Sequence, residues 1–502
     1  MRLAALVEGL GPLELVRGGE VVVHGVAVDS RRVRPGDVFV ALAGRTTDGR
    51  RHVADAIARG AIAVVADGTV DAPGAALVRT PEPRRLMALV AARLAGDPSA
   101  ALTLVGVTGT NGKTTTTWLL EGIWKAAGLR TGVIGTIAYR FGEVSREAPF
   151  TTPEACDLQA LLAEMRAAGV THVAMEASSH ALAQDRVLGL RFDAAAFTNL
   201  TRDHMDFHRD DEEYFAAKAR LFLEHLPAGG KRNAVAVVNV DHDPGRRLVA
   251  RVRGRCVPVG QVDDALVRLS DVTSTLAGTR GRLTFGSETL AFASPLVGAP
   301  HAENIGLAAA TAWALGLGPA EIVAGIATTA APPGRVERLP GPGFTVVVDY
   351  AHTPDALERL LAALRPLTPG RLLTVFGCGG DRDRGKRPLM GAAAGRWSDL
   401  VVLTSDNPRT EEPAAILAEI EPGVREGGLA PLPRLDAGGR GYVVEADRPA
   451  AIALALRAAR PGDLVVVAGK GHEDYQIVGT EKRHLDDREE VRRVLGAAGG
   501  AA

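Results

Sequence analysis

The sequence predicts an α/β protein of three domains, and three observations predict it. Short apolar, β-branched runs alternate with Ala- and Leu-rich helical runs, the pattern of parallel sheets joined by helical crossovers. Two strong breaks, Gly96–Ser99 and Pro332–Gly334, divide the chain. The 502 residues correspond to about three domains at roughly 150 residues each.

The elements follow in order. Val21–Val23 and Val38–Val40 read as strands, Val53–Arg59 as a short helix and Ala61–Val65 as a strand. After the Gly96–Ser99 linker, Leu102–Val107 is a β-branched apolar run, Thr108–Gly112 a polar loop, and a helix starts at Lys113. Its apolar face carries Trp118, Leu119, Ile123 and Ala126, and Gly128 stops it. Thr171–Ala174 and Val235–Val240 read as further strands, and the β/α alternation is expected to continue to about residue 330. Beyond Pro332–Gly334, the strands Phe344–Val348, Leu372–Phe376, Val401–Thr404 and Leu464–Ala468 are separated by helices, the first being Asp355–Leu364.

Composition narrows the function classes. Lys and Arg total 58 against 59 Asp and Glu, a formal net charge of -1, which excludes a broad polyanion-binding surface. Three scattered cysteines, Cys156, Cys256 and Cys378, make neither a disulfide framework nor a four-cysteine zinc site and point to a reducing compartment. The longest mild apolar run, Ile305–Leu317, is interrupted by glycines and too short for a bilayer, and Glu8 interrupts the N-terminal apolar stretch, so neither a membrane span nor a signal peptide is expected. The expectation is a cytoplasmic monomer that binds no nucleic acid.

The loop Gly109-Thr110-Asn111-Gly112-Lys113-Thr114-Thr115 lies between a strand and a helix. Glycines let backbone N–H groups approach phosphate oxygens, and the helix N-terminus adds partial positive charge. Lys113 is placed for the β/γ-phosphates and Thr114 for Mg²⁺. A strict phosphate-loop pattern would have glycine at position 107, where this chain has Val107. The loop alone says that a nucleoside triphosphate is bound.

Other segments add chemistry. Glu176, just after a strand, is a carboxylate suited to Mg²⁺. Asn199–His208 collects Asp203, His204, Asp206 and His208; with no thiolate nearby, magnesium suits it better than zinc. Three C-terminal loops follow strands, where parallel sheets bind ligands. They are Gly379–Asp383, Asp406-Asn407-Pro408-Arg409 and Gly469–Gln476. Arg382 and Arg409 can each grip a carboxylate through two N–H groups, and Glu473 can pair with an ammonium. An amino acid with two carboxylates and two amines satisfies that set.

Thr108–Thr116, reading Thr-Gly-Thr-Asn-Gly-Lys-Thr-Thr-Thr, resembles the Mur ligase superfamily and its folylpolyglutamate synthase relatives, which form amide bonds with ATP. Met175–His180, Asp203-His204 and the run Tyr214-x-x-Ala217-Lys218-x-x-Leu221-Phe222 follow in the same order as in that family. Asp29–Leu42 and Asp48-Gly49-Arg50 are similar to the uridine-nucleotide domain of MurE- and MurF-type ligases, a domain that folylpolyglutamate synthases lack. The resemblance runs from about Asp29 to Asp487, and Asp406–Arg409 resembles the signature of the diaminopimelate-adding MurE branch.

The resemblance implies an N-terminal UDP-sugar-binding α/β domain (1–98), a central P-loop ATPase-like domain with a parallel sheet (99–333) and a C-terminal Rossmann-like, amino-acid-binding domain (334–502). It implies ATP as substrate and Mg²⁺ held by Thr114, Glu176, His204 and a carbamylated Lys218, with Lys113, Lys218 and His204 catalytic. Gly109–Thr115, Asn304, Arg335 and Asp349 would line the nucleotide. Ser30, Arg45, Thr46, Thr47, Thr151, Thr152, Ser178, Gln184 and Arg186 would contact UDP-MurNAc-L-Ala-D-Glu; Phe150 stands where some members carry Asn. Arg382, Asp406, Asn407, Pro408, Arg409, Gly469 and Glu473 would bind meso-diaminopimelate, with L-ornithine or L-lysine as the alternative. The implied reaction is an acyl-phosphate amide ligation in peptidoglycan precursor synthesis, completed by domain closure. A folylpolyglutamate synthase, a P-loop ATPase acting mechanically and an inactive scaffold are the competing readings.

Overall fold

The computed structural model describes residues 1–44, 47–201, 203, 205, 207–435 and 439–499. The predicted sites Arg45, Thr46 and His204 lie outside the described residues. The chain forms two compact units, Met1–Arg268 with Leu307–Gly325, and Leu269–Gly306 with Ile326–Ala502.

Within the first unit, an N-terminal five-stranded sheet runs in the order Glu14–Arg17, Ala76–Arg79, Ala63–Ala66, Asp37–Ala41, Gly25–Ala27. All its pairs are parallel except the first. Both faces are covered, so the strands read as unbroken apolar runs rather than alternating ones. Val38, Val40, Val65 and Val78 face Leu86, Met87 and Val90 of the helix Pro83–Leu94. Phe39, Ala41, Val64 and Leu77 face Val53 and Ala56 of the helix Val53–Ala58.

Val21–Val23, expected as a strand, is not one. Val22 makes a single antiparallel bridge with Arg2, and the edge strands are Glu14–Arg17 and Gly25–Ala27. Three valines satisfied the propensity rule, but the stretch is too short and its middle residue too exposed to join the ladder.

The central sheet of this unit places Thr103–Thr108 between His172–Glu176 and Ala194–Phe197, all parallel. Thr131–Ile134 extends it on one side; Val235–Asn239, Arg255–Gly260 and the start of Val267–Thr275 extend it on the other. Register sets the site: Glu176 pairs with Val107, and Phe197 with Thr108. Hence Thr108–Gly112, Glu176 and Thr198–Asn199 leave the sheet together at its C-terminal edge, where such sheets bind ligands.

The alternation expected up to residue 330 stops early. Ala138–Phe141 and Val144–Glu147 form an antiparallel hairpin against Thr131–Ile134. The central sheet is therefore mixed at that margin rather than wholly parallel. In the second unit, Gly278–Phe285 pairs antiparallel with Glu288–Ser294.

The second unit's six-stranded sheet runs Glu337–Pro340, Thr345–Asp349, Leu464–Ala468, Leu372–Phe376, Leu400–Leu403, Gly441–Val444, with only the first pair antiparallel. Val346, Val348, Val465 and Val467 pack on one face with Ile452 and Leu456 of the helix Arg448–Ala458. Val347, Val466, Phe376 and Leu403 pack on the other with the helices Pro354–Leu364 and Lys386–Trp397. Asp349 pairs with Ala468, so the loops opened by Tyr350 and Gly469 start side by side.

Candidate active site

The first half-site is the phosphate loop. Gly109 and Gly112 adopt φ of 145° and 88°, which only glycine takes readily. A Cβ on Gly109 would sit 1.8 Å from Thr198 Oγ1, so the residue is required sterically as well. Asn199 anchors the loop by accepting from the backbone N–H groups of Thr110 (2.9 Å) and Asn111 (3.0 Å). The Lys113 ammonium folds back over it, donating to the carbonyls of Gly109 (3.0 Å) and Thr110 (2.9 Å).

Lys218 arrives from the helix Asp211–Arg220, which Asp210 caps by accepting from Glu213 N–H. It is buried, donates to the same Gly109 carbonyl at 2.8 Å and lies 4.3 Å from the Tyr214 ring centroid. Burial, then the Lys113 charge, push its pKa well below the usual lysine value, while Asp203 opposes the shift.

Glu176 is buried at 1% exposure and held entirely by neutral donors. Thr114 Oγ1 (2.9 Å) and Thr136 N (2.9 Å) donate to Oε1, and Thr136 Oγ1 (3.1 Å) to Oε2. Among the described residues no cationic side chain pairs with it. A buried carboxylate beside a threonine hydroxyl is an all-oxygen donor set, which fits a hard divalent cation such as Mg²⁺. Among the described residues, which do not include His204, no group of three or more His, Cys, Asp or Glu is gathered for a metal.

Thr151 Oγ1 lies 3.0 Å from Thr136 Oγ1, and Thr152 Oγ1 donates to the Glu176 carbonyl at 2.8 Å. Ser178 caps the helix Ser179–Ala183. Arg186 is held by Gln184 Oε1 (2.8 Å), the Thr152 carbonyl (3.0 Å) and Glu154 (3.0 Å). Thr151, Thr152, Ser178, Gln184 and Arg186 are thus brought together around Glu176. Ser30 is buried at the start of a 3₁₀ turn capped by Asp29, and Thr47 bonds His52 at 3.2 Å; neither bonds to that cluster.

The second half-site sits on the C-terminal sheet. Asp349 accepts from Val336 N–H (2.7 Å) and Ala351 N–H (2.8 Å); burial raises its pKa, with Arg335 opposing. Arg335 stacks on the Tyr350 ring at 4.5 Å. Asn304 is buried on the helix Ala299–Ala314, and no hydrogen bond joins it to either residue.

Asn407 links two of the C-terminal loops. Its Oδ1 accepts from Lys470 Nζ (3.2 Å) and Ile477 N (2.9 Å), and its Nδ2 donates to Glu473 at 3.4 Å. Lys470 is fully buried and lies 3.6 Å from Asp406. Burial first, then Asp406, raise the Glu473 pKa. Arg409 sits at φ 52° and donates to the Gly380 carbonyl at 2.8 Å. A Cβ on Gly379 would lie 3.0 Å from Arg409 Nη1 and 3.7 Å from Arg382 Cγ, so glycine lets the two arginines flank one spot. Among the described residues neither arginine has a carboxylate partner. Their neighbour Arg387, by contrast, is buried on Glu411 (2.8 Å) and Glu419 (2.8 Å).

Sequence reasoning assigned no role to Thr136, Glu154, Arg387 or Lys470. Gly135-Thr136 directly follows the strand Thr131–Ile134, a position that marks a ligand loop; Arg387 and Lys470 carry no signal without the fold.

Family models match the chain in three consecutive segments: the Mur ligase family, catalytic domain at residues 22–92, the Mur ligase middle domain at 107–312, and the Mur ligase, glutamate ligase domain at 334–471. This chain belongs to the Mur ligase family. The ligase is 47% identical over 500 residues to the UDP-N-acetylmuramoyl-L-alanyl-D-glutamate–2,6-diaminopimelate ligase of Geobacter metallireducens, covering 98% of each chain. It is 45% identical over 486 residues to the protein of the same name from Synechococcus elongatus, covering 95% and 94%. A solved structure of a UDP-N-acetylmuramoyl-L-alanyl-D-glutamate–2,6-diaminopimelate ligase matches with a TM-score of 0.71 at 33% identity, covering 99% of both chains. A Mycobacterium tuberculosis folylpolyglutamate synthase shares the fold (TM-score 0.60, 19% identity) but covers only 76% of the ligase.

Proposed function

We propose that this Mur ligase adds meso-diaminopimelate to the D-glutamyl γ-carboxylate of UDP-MurNAc-L-Ala-D-Glu, consuming ATP, in peptidoglycan precursor synthesis. The carrying observation for the amino acid is Arg409 beside Arg382, two guanidiniums flanking Gly379 with no protein carboxylate on either. Arg382 is exposed and Arg409 partly so, and lysine or ornithine would bring a single carboxylate to the pair, leaving one guanidinium without the contact that the second carboxylate of diaminopimelate offers. We further place the domain boundaries at 98/99 and 333/334, and take the ligase as a cytoplasmic monomer.

The γ-carboxylate attacks the γ-phosphorus of ATP and ADP leaves, giving an acyl phosphate. The uncharged amine of diaminopimelate then attacks the acyl carbon; the tetrahedral intermediate expels phosphate and leaves the amide. Lys113 exchanges its two loop carbonyls for phosphate oxygens and neutralises charge in the transferring group. Thr114, Glu176, His204 and Lys218 would hold Mg²⁺, which when bound neutralises phosphate charge. A carbamate forms when a neutral amine adds to CO2, and the burial that lowers the Lys218 pKa favours that neutral form. Arg186, with Thr151, Thr152, Ser178 and Gln184, orients the dipeptide; Ser30, Arg45, Thr46 and Thr47 take the uridine end. Arg335, Asp349 and Asn304 line the nucleotide. Glu473, with Asp406, Asn407, Pro408 and Gly469, receives the ammonium end of the amino acid. No residue serves as a nucleophile, so rate comes from positioning and electrostatics.

Phosphate release with ATP, Mg²⁺ and UDP-MurNAc-L-Ala-D-Glu tests this. Turnover is expected with meso-diaminopimelate at least a hundredfold above that with L-lysine or L-ornithine. A preference for either of those would overturn the amino-acid assignment, and turnover without any amino acid would overturn the ligase reading.

A further inference from the structure

Glu154 opens the helix Ala155–Ala167 as its N-cap, with extended φ/ψ of -61° and 152°, yet its side chain makes no capping bond. Ser, Thr, Asp and Asn are the residues that bond the free N–H groups of a first turn, and the longer Glu is not among them. The carboxylate is spent elsewhere. Its Oε1 lies 3.0 Å from Arg186 Nη2, and its Oε2 lies 3.3 Å from Arg84 Nη1 on the helix Pro83–Leu94. All three side chains are largely withdrawn from solvent, at 15% exposure for Glu154, 13% for Arg186 and 31% for Arg84.

The other partners of Arg186 are neutral: the Gln184 amide oxygen and the Thr152 carbonyl. Burial pulls the Arg186 pKa down and Arg84 pulls it further; Glu154 is the main opposing charge. The Thr152 carbonyl and the Glu154 carboxylate grip Arg186 from either side of Pro153, whose ring stiffens the link between them. Among the described residues one Nη1 N–H of Arg186 has no hydrogen-bond acceptor.

We propose that Glu154 is a positioning residue that holds Arg186 in the orientation that receives the dipeptide, anchored in turn by Arg84 of the N-terminal domain. The inference rests on the reading that Arg186 binds UDP-MurNAc-L-Ala-D-Glu. Glu154 touches no substrate; it fixes the rotamer and the charge of the residue that does, and it ties that residue to the domain proposed to hold the uridine end.

The test measures KM for each substrate, and calorimetric affinity for UDP-MurNAc-L-Ala-D-Glu without ATP, in Glu154→Gln, Arg84→Met, Arg186→Ala and the Glu154→Gln/Arg186→Ala double variant. Glu154→Gln is expected to raise KM for the UDP substrate about tenfold and Arg84→Met about threefold, with kcat and KM for ATP and diaminopimelate within threefold. The double variant should behave like Arg186→Ala alone, because Glu154 acts through Arg186. A merely structural role would move all three KM values and kcat together, which would overturn the proposal. So would a normal KM in both Glu154→Gln and Arg84→Met while Arg186→Ala raises it, or additive effects in the double variant. If Arg186→Ala itself leaves KM unchanged, the reading of Arg186 is wrong and the positioning role falls with it.

Discussion

The two proposed half-sites would recognise anions by opposite means. The phosphate half-site is built from backbone N–H groups, short hydroxyls and one lysine, almost all from the contiguous stretch Gly109–Thr115, with Asn199 bracing the loop. The amino-acid half-site is built from long charged side chains on three separate loops, Arg382, Arg409 and Glu473, and a second tier of buried charge supports it: Lys470 on Asn407, Arg387 on Glu411, and Arg448 on Asp487. Backbone recognition needs glycines and a helix start. Side-chain recognition needs scaffolding for each guanidinium.

If that contrast is right, the largest effect lies in the first half-site. Lys113→Met should lower kcat by about a thousandfold or more, since preorganised charge at a transferring phosphoryl contributes several kcal/mol. Phosphate release within tenfold of the unaltered protein would show that the backbone alone suffices. Lys218→Ala should lower activity by roughly a hundredfold, with partial return on adding acetate or formate as a replacement carboxylate. Unchanged activity without the additive would remove the carbamate role.

In the second half-site, Arg409→Lys keeps the charge and loses the fork. We expect about a tenfold to hundredfold rise in KM for meso-diaminopimelate with KM for ATP unmoved. Equal KM in both proteins would mean that a point charge is enough there, and the contrast with the phosphate loop would vanish.

The supporting tier makes a stability prediction. Arg448 and Asp487 are both fully buried, with contacts of 2.7 Å. Asp487→Asn strands the guanidinium and should lower unfolding free energy by about 3–5 kcal/mol, read from the urea midpoint. A midpoint within error of the parent would place the weight of the loop on Lys470 instead.

The smallest effect concerns pH. Burial lowers the pKa of His225 to about 4, and among the described residues its Nε2 has no hydrogen-bond partner. Its folded pKa is below the unfolded value of about 6.5, so the unfolded state binds more protons between those values. The contribution is therefore intact above about pH 6.5 and is lost as pH falls towards 4, by about 3 kcal/mol at most. His225→Phe should flatten that slope; an unchanged slope would assign the acid sensitivity to other groups, such as His301, also at about 4.

The same contrast explains what was legible in the sequence. The phosphate loop, its strand and its helix could be read because the whole device is local. The three-domain α/β class followed from the spacing of apolar runs. Val21–Val23 misled because propensity says nothing about a ladder partner, and the antiparallel strands Gly278–Phe285 and Glu288–Ser294 were missed because the β/α pattern was extrapolated through them. Thr136 and Glu154 reach the site through contacts distant in sequence, to Glu176 and Arg186. Lys470 and Arg387 look like surface residues until burial reveals them.

Arg409 and Asp381, both on the amino-acid loops, hold left-handed backbones at φ 52°, a conformation that disfavours residues other than glycine by about 1 kcal/mol or more. Selection therefore pulls in two directions at these positions. A random library screened for heat resistance alone should accumulate glycine or asparagine at 409, and the same library screened for growth should purge them. Position 409 thus offers a record of which pressure a lineage has met.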